Sequence, residues 1–147
     1  MENNSYKNIM IATDDSESAR KAVNKAINLA KLSNAKVYAV YVISHKEDHI
    51  AYPKDVGWDR AIHDFFREEA KQAIAYAEEA GKNSGVNIEP VVLEGSPANE
   101  LVDFAERNDI DLIVMGTLGK TGIEKFLLGS VAENVTRHSK KPVLVVR

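Results

Sequence analysis

Five short apolar segments alternate along the chain with four segments of helical periodicity, and this alternation limits the possible folds more than any other feature. Strands that are connected by helices predict a parallel sheet with helices on both faces. A closed eight-stranded barrel is excluded because the chain supplies only five strands. The predicted strands are Lys7–Thr13, Ala35–Ile43, Asn87–Glu94, Ile110–Met115 and Pro142–Val146.

The helical segments lie between these strands. Apolar residues repeat at helical spacing from Ser18 to about Leu32, and Asp15 or Ser16 is the expected N-cap. A second, long helix is predicted to end near Gly81. The third helix is predicted to open at Pro97 and the fourth to follow a glycine-containing loop. Their expected inner faces carry Ala98, Leu101, Val102 and Ala105, then Leu128, Val131, Ala132 and Val135.

The stretch His45–Trp58 is predicted to be an irregular loop, because it contains a proline, a glycine and several charges. Within it, His45 and His49 are four residues apart, with Glu47 between them. The pair lacks the HExxH arrangement of helical zinc sites. A metal site is therefore not expected in this stretch.

The composition excludes several functional classes. The chain has 147 residues and a net charge of −3, so it fits one domain, and nucleic acid is not the expected partner. The absence of cysteine excludes disulfides and thiolate nucleophiles. No apolar run approaches the roughly 18 residues needed to cross a membrane. The polar segment from Met1 to Lys7 lacks the apolar stretch of a signal peptide, so a cytoplasmic protein is expected.

Two polar loops mark the expected binding site. Open parallel sheets bind ligands beyond the carboxyl ends of their strands, where the strand order reverses. The loops that follow the first and fourth strands are the candidates for that position. The first contains Thr13, Asp14, Asp15 and Ser16; the second contains Gly116, Thr117, Leu118, Gly119, Lys120, Thr121 and Gly122, and Gly129 and Ser130 follow it.

The second loop has the chemistry of an anion site. Glycines allow a backbone to approach a phosphate closely, and the first turn of a helix adds unpaired N–H groups. Ser130 supplies a hydroxyl, while Lys120 and Lys125 supply positive charge. Asp14 is expected to accept a ribose hydroxyl or to help hold magnesium. The alternative is that the glycines serve only as turns.

Neither of two common phosphate-binding motifs is present. A Walker A loop needs four residues between its two glycines, and only two separate Gly116 from Gly119. The GxGxxG fingerprint of dinucleotide-binding proteins is missing as well.

The glycine spacing resembles the ATP-binding signature of the universal stress protein family. Two residues separate Gly116 from Gly119, and nine more precede the Gly129-Ser130 pair. The resemblance covers nearly the whole chain, including the opening strand that ends in Ala12-Thr13-Asp14-Asp15-Ser16 and the closing segment Ser139–Val146. It implies a three-layer, doubly wound, Rossmann-like α/β fold with strand order 3-2-1-4-5.

The resemblance also implies roles for individual residues. Ala12, Thr13 and Asp14 would border the adenosine, the backbone of Val42 would read the adenine edge, and Met115 would line its pocket. Relatives often carry proline at the position of Ala12. The residues implied to wrap the ribose and phosphates of ATP, ADP or AMP, with Mg²⁺, are Gly116, Thr117, Leu118, Gly119, Lys120, Thr121, Gly122, Gly129, Ser130, Val131 and Ala132.

Three functions remain open at this point. The favoured one is a nucleotide-binding regulatory protein of the stress response that acts on a protein partner as yet unidentified. The second is a slow ATPase or another adenine-nucleotide hydrolase. The third is an interaction module with an empty pocket.

The last strand suggests a homodimer. In the implied strand order Val143–Val146 lies at the edge of the sheet, and an apolar edge is an aggregation hazard unless it is paired or covered. Antiparallel pairing with a second copy would protect it. The alternative is that a helix or loop of the same chain covers the edge.

Gly119→Val or Gly129→Val is predicted to abolish nucleotide binding and to leave the fold largely intact, because a branched Cβ would collide with a phosphate. The measurement is the rise in Tm that ATP, ADP or AMP causes in each variant. A variant that still shows the wild-type rise would contradict the assignment of these glycines to the phosphate site.

Overall fold

The computed structural model describes residues 5–44, 56–117 and 128–147. These residues form five strands and four helices in strict alternation. The strands are β1 (Asn8–Ala12), β2 (Lys36–Ser44), β3 (Ile88–Gly95), β4 (Leu112–Gly116) and β5 (Val143–Val146). The helices are α1 (Glu17–Ser33), α2 (Val56–Ser84), α3 (Pro97–Arg107) and α4 (Ser130–His138).

All five strands pair in parallel in one sheet, in the order β3-β2-β1-β4-β5. The predicted fold class and strand order are therefore confirmed. β1 lies in the centre, and its last residue, Ala12, is in register with Val40 of β2 and Met115 of β4. The strand order reverses at β1, so the chain leaves β1 and β4 at the same edge of the sheet.

Helices pack on both faces of this sheet because successive side chains of each strand point in opposite directions. Ile9 and Ile11 of β1 share a buried cluster with residues of α1 and α2. Met10, between them, belongs to a second cluster with residues of α3 and α4. All three β1 side chains are fully buried, which explains why this strand is a continuous apolar run.

The central strands are also joined where they begin. One carboxylate oxygen of Asp111, Oδ2, accepts hydrogen bonds from the backbone N–H groups of Lys7 and Asn8, both at 2.8 Å. The Asp111 N–H in turn donates to the Asn8 carbonyl oxygen at 2.8 Å. These bonds set the starting point of β4 against that of β1, and they therefore help to align the ends of the two strands at the opposite edge.

Helix α2 differs from its prediction at both ends. It begins at Val56, so Val56–Trp58 are helical and the prediction of a loop extending to Trp58 is wrong. Residues 45–55 lie outside the described part of the chain. The helix continues past Gly81 to Ser84 and is followed by Gly85 in a left-handed conformation (φ 69°). At Gly81 an added Cβ would overlap the Ile88 side chain, so this glycine permits close packing of α2 against β3.

Helix α4 begins later than its apolar pattern suggests. Leu128 lies before the helix, although it packs against the same apolar cluster as Val131 and Ala132. The third helix begins at Pro97, as predicted. Of the helices within the described ranges, none is long and apolar enough to span a membrane.

The two edge strands differ in chemistry. The Val37 N–H donates to the Asn87 carbonyl, so the alternation of a parallel ladder directs the main chain at Pro90 outward, away from β2. Proline has no N–H and blocks pairing at that position. On β5, the Pro142 and Val146 carbonyls accept from β4, so the main-chain groups of Val143 and Val145 point outward. The β5 edge therefore has donors that the β3 edge lacks at Pro90.

Candidate functional site at the carboxyl edge of the sheet

A hydrogen-bonded turn follows β1. The Thr13 N–H donates to the Val40 carbonyl at 3.0 Å, and Asp14 Oδ1 accepts from the Ser16 N–H at 2.9 Å. Ser16, one of the two predicted candidates, is the N-cap of α1, because its hydroxyl accepts from the Ala19 N–H at 3.2 Å. Thr13 is buried and Asp14 is half-buried. The turn therefore holds the Asp14 carboxylate at the edge where the nucleotide was predicted.

Asp15, in the middle of the turn, has a left-handed backbone (φ 64°), which is uncommon for a residue other than glycine. Its carboxylate Oδ1 accepts from Arg20 Nε at 2.9 Å. This hydrogen bond raises the pKa of the Arg20 guanidinium above its ordinary value. Asp15 is thus tied to the fourth residue of α1.

The backbone of Val42 extends past the end of β1. Within the described part of the chain, the ladder between β1 and β2 ends at the bond from Thr13 to Val40. The next main-chain groups on that side of β2 are the N–H and C=O of Val42, and neither has a hydrogen-bond partner in those ranges. A donor and an acceptor side by side match the hydrogen-bonding edge of adenine.

An apolar wall joins several of the predicted site residues. Met115 and Ala132 are buried in one cluster on the face of the sheet covered by α3 and α4. Ala12, Val42 and Val131 are partly buried against the same cluster. The structure therefore brings these five predicted residues together at the carboxyl edge of the sheet, although they lie in four different elements or their ends.

Gly116 ends β4 and packs against the start of α1. A Cβ at this position would contact Ser18 Oγ and come within 2.7 Å of the Ser18 backbone carbonyl carbon. The fold itself therefore requires glycine here. This contact supports the alternative reading of Gly116 as a structural glycine, independent of any phosphate.

Gly129 is held against the residue that follows β4. Its N–H donates to the carbonyl of the buried Thr117, so this amide is already bonded within the protein. The assignment of Gly129 to the phosphate site stays a prediction, and any contact there would have to avoid this amide. Its backbone angles (φ −67°, ψ 162°) are open to any residue, so they do not explain the lack of a side chain.

The first turn of α4 has no side-chain cap. The first hydrogen bond into the helix runs from the Glu133 N–H to the Gly129 carbonyl at 2.9 Å. Within residues 5–44, 56–117 and 128–147, the N–H groups of Ser130, Val131 and Ala132 have no acceptor. Such groups carry the positive end of the helix dipole and favour an anion.

The remaining predicted site residues lie outside the described residues. They are Leu118, Gly119, Lys120, Thr121 and Gly122, and the same holds for Lys125, His45 and His49. In the described ranges, no group of three or more acidic or histidine side chains could hold a metal ion. His63 and His138 are both exposed, and His63 pairs with Glu94 at 3.0 Å.

Two residues at this edge were not predicted from the sequence. Ser18 is the residue that Gly116 accommodates, and Arg20 is the partner of Asp15. The five-residue spacing from Asp15 to Arg20 is a weak signal, since it lies across a helix boundary and fits neither helical pair spacing. The contact between Ser18 and Gly116 joins residues far apart in sequence and leaves no local pattern.

Comparison with known proteins establishes the family. The sequence model of the family described as "Universal stress protein family" matches residues 5–147 of this chain. The chain belongs to the universal stress protein family. A universal stress protein of Methanocaldococcus jannaschii is 45% identical over 144 residues, which cover 98% of this chain and 84% of that relative. The solved structure of a second universal stress protein from that organism is 33% identical and has a TM-score of 0.85. The match covers 97% of this chain and 96% of that chain.

Two other solved members of the family are complexes with nucleotides. A universal stress protein in complex with cAMP has a TM-score of 0.67 at 31% identity, with 98% of both chains covered. The universal stress protein of Archaeoglobus fulgidus in complex with dAMP has a TM-score of 0.71 at 27% identity, with 97% of this chain and 99% of that chain covered. Both ligands contain adenine and a single phosphate.

Gly116→Ala is predicted to destabilise the protein in the absence of any ligand, by about 1–3 kcal/mol, because the new Cβ forces α1 away from β4. Chemical denaturation of the nucleotide-free protein measures this change. Gly129→Ala is the matched control, since alanine can adopt the backbone angles found there. Equal stability of the wild-type and Gly116→Ala proteins would contradict the packing role of Gly116.

Proposed function

We propose that this universal stress protein binds an adenine nucleotide, ATP or a relative, at the carboxyl edge of β1 and β4. The observation that carries the proposal is the juxtaposition of the open Val42 backbone pair with the uncapped first turn of α4. Val42 lies on β2 and α4 starts beside the end of β4, with β1 between them. Two strand spacings, about 10 Å, separate the two sites. A nucleoside joined to a phosphate can span this distance.

Each part of the ligand then has a counterpart in the chain. Adenine pairs with the Val42 backbone and packs on the apolar wall that includes Met115 and Ala12. Asp14 accepts a ribose hydroxyl, and the first-turn amides of α4 receive a phosphate. The cAMP and dAMP complexes of relatives support an adenine ligand. The proposed Mg²⁺ is coordinated mainly by the phosphates of ATP and by water.

A regulatory role is favoured over hydrolysis. Catalysis of phosphoryl transfer requires a group that orients the attacking water and a firmly held metal ion. Of the two carboxylates in the loop after β1, Asp15 accepts from Arg20, and Asp14 is the one assigned here to the ribose. This assignment leaves neither carboxylate of the loop to orient an attacking water. We therefore propose a switch whose nucleotide occupancy changes its contact with a partner protein, with slow hydrolysis as the alternative.

A thermal-shift series tests binding. At a ligand concentration about a hundredfold above Kd, binding adds about 2.7 kcal/mol to the free energy of unfolding. For a chain of this size the Tm should rise by about 5–10 °C. ATP, ADP, AMP, cAMP and dAMP are compared with and without Mg²⁺, and GTP is the control for base recognition. No rise with any adenine nucleotide would favour an interaction module with an empty pocket.

Turnover separates the switch from the ATPase. A switch binds ATP without releasing phosphate in the steady state. Steady-state release that disappears in Asp14→Ala, while binding persists, would instead support hydrolysis and assign Asp14 a catalytic part.

A homodimer formed through β5 is the second part of the proposal. Val143 and Val145 direct their main-chain groups outward, and all four β5 side chains are only partly buried. An apolar edge strand with open main-chain groups favours antiparallel pairing with an identical strand about a two-fold axis.

Val145→Pro is predicted to convert the dimer to a monomer without unfolding the chain, because it removes an outward N–H and leaves the bonds to β4 in place. Sedimentation or light scattering gives the mass, and circular dichroism reports the fold. Val146→Pro is the control, since the main chain of Val146 faces β4. Removal of its N–H should therefore lower the Tm of the monomer directly. A wild-type protein that is monomeric at micromolar concentration would contradict the dimer.

A further inference from the structure

A three-part contact joins the loop after β1 to helix α2. Arg20, on α1, donates through Nε to Asp15 Oδ1 at 2.9 Å. Its guanidinium carbon lies 4.6 Å from the centroid of the Tyr76 ring, on α2. The Tyr76 hydroxyl donates to Asn24 Oδ1 at 3.3 Å, which ties α2 to the next turn of α1. Arg20, Asp15 and Tyr76 are called the Arg20 bridge below.

The bridge acts on a residue whose conformation needs support. Asp15 has φ 64°, a region that L side chains adopt at a cost in free energy. The Asp15 side chain is only 25% exposed, whereas that of Arg20 is 50% exposed. A half-exposed arginine would sample several rotamers in isolation. The Tyr76 ring lies against the guanidinium, and the Asp15 carboxylate accepts a hydrogen bond from its Nε. Together they restrict the guanidinium to one position.

The left-handed turn at Asp15 determines where the neighbouring groups lie. It reverses the chain between Asp14 and Ser16, so that the Ser16 N–H reaches the Asp14 carboxylate at 2.9 Å and the Ser16 hydroxyl caps α1. If Asp15 changed to an extended conformation, the Asp14 carboxylate would move relative to the ends of β1 and β4. The Arg20 bridge therefore maintains the geometry of the one carboxylate that the proposed site offers to the ribose.

We infer that Arg20 is a positioning residue for nucleotide binding, which holds the loop after β1 in its binding-competent conformation through Asp15. This inference rests on the proposed function. Arg20 is not expected to touch the ligand, since its guanidinium is directed to Asp15 and Tyr76. Its effect on affinity should therefore depend on the identity of residue 15.

The test is a double-mutant cycle on nucleotide affinity, with AMP and ATP as the ligands and isothermal titration calorimetry as the measurement. Arg20→Gln should weaken both ligands about five- to tenfold, because a loop that is competent for only a tenth to a fifth of the time raises the apparent Kd by that factor. In an Asp15→Gly background, glycine adopts the positive φ without a bridge. There, Arg20→Gln should change Kd by less than about twofold.

A matched control separates the bridge from net charge. Arg107→Gln removes the same charge from an exposed ion pair with Asp103, on the last turn of α3. It should leave Kd unchanged within about twofold, as expected for an exposed pair away from the site. Equal losses for Arg20→Gln and Arg107→Gln would assign the effect to charge and would overturn the inference. Equal losses from Arg20→Gln with aspartate and with glycine at position 15 would also overturn it.

A second measurement does not depend on the ligand. Amide hydrogen exchange at Ser16 and Ala19, whose N–H groups donate within this turn, should be faster in nucleotide-free Arg20→Gln than in Arg107→Gln. If wild-type protein binds no adenine nucleotide, the proposed function fails and exchange alone decides the role of the bridge. If wild-type protein binds nucleotide and Arg20→Gln binds it equally well, only the inference fails.

Discussion

Parallel pairing of β1 with both β2 and β4 is the constraint on which the candidate site depends. It brings three strand ends to one edge and places Ala12 in register with Val40 and Met115. Since the strand order reverses at β1, the connections from β1 and β4 pass to opposite faces of the sheet, and a crevice remains between them. The carboxylate of Asp111 supports this alignment from the other end by joining the start of β4 to that of β1.

Most of the fold could be predicted because its signals are local. Each strand is a short apolar run, each helix has a periodic apolar face, and Ser16 and Pro97 mark helix starts through their own backbone chemistry. The start of α2 was missed because Gly57 was read as part of a loop, although glycine is tolerated in a helix at a modest cost. Its end was misplaced because Gly81 accommodates Ile88, a contact that appears only once β3 is packed against α2.

The position of the candidate site could be predicted from the sequence, but the roles of its individual residues could be predicted only in part. The open backbone of Val42 and the first turn of α4 lie at the predicted edge. Gly116 was assigned to phosphate contact, which stays a prediction, and the close approach of Ser18 gives this glycine a packing role as well. A glycine needed for packing and a glycine needed for ligand contact look the same in a sequence. The space around the Cα in the folded chain shows whether a side chain would fit there. The contacts of Arg20 could not be predicted for a similar reason, since Tyr76 comes from another helix.

The difference between the two sheet edges limits how many copies can join. A sheet can grow from molecule to molecule only if both of its edges can pair, because each added copy must offer an unpaired edge strand to the next. Pro90 removes one main-chain donor from the β3 edge, while the main-chain groups of Val143 and Val145 point outward at the β5 edge. In the proposed dimer the two β5 edges would pair with each other, so further growth of the sheet would have to start from the β3 edge, where Pro90 supplies no donor.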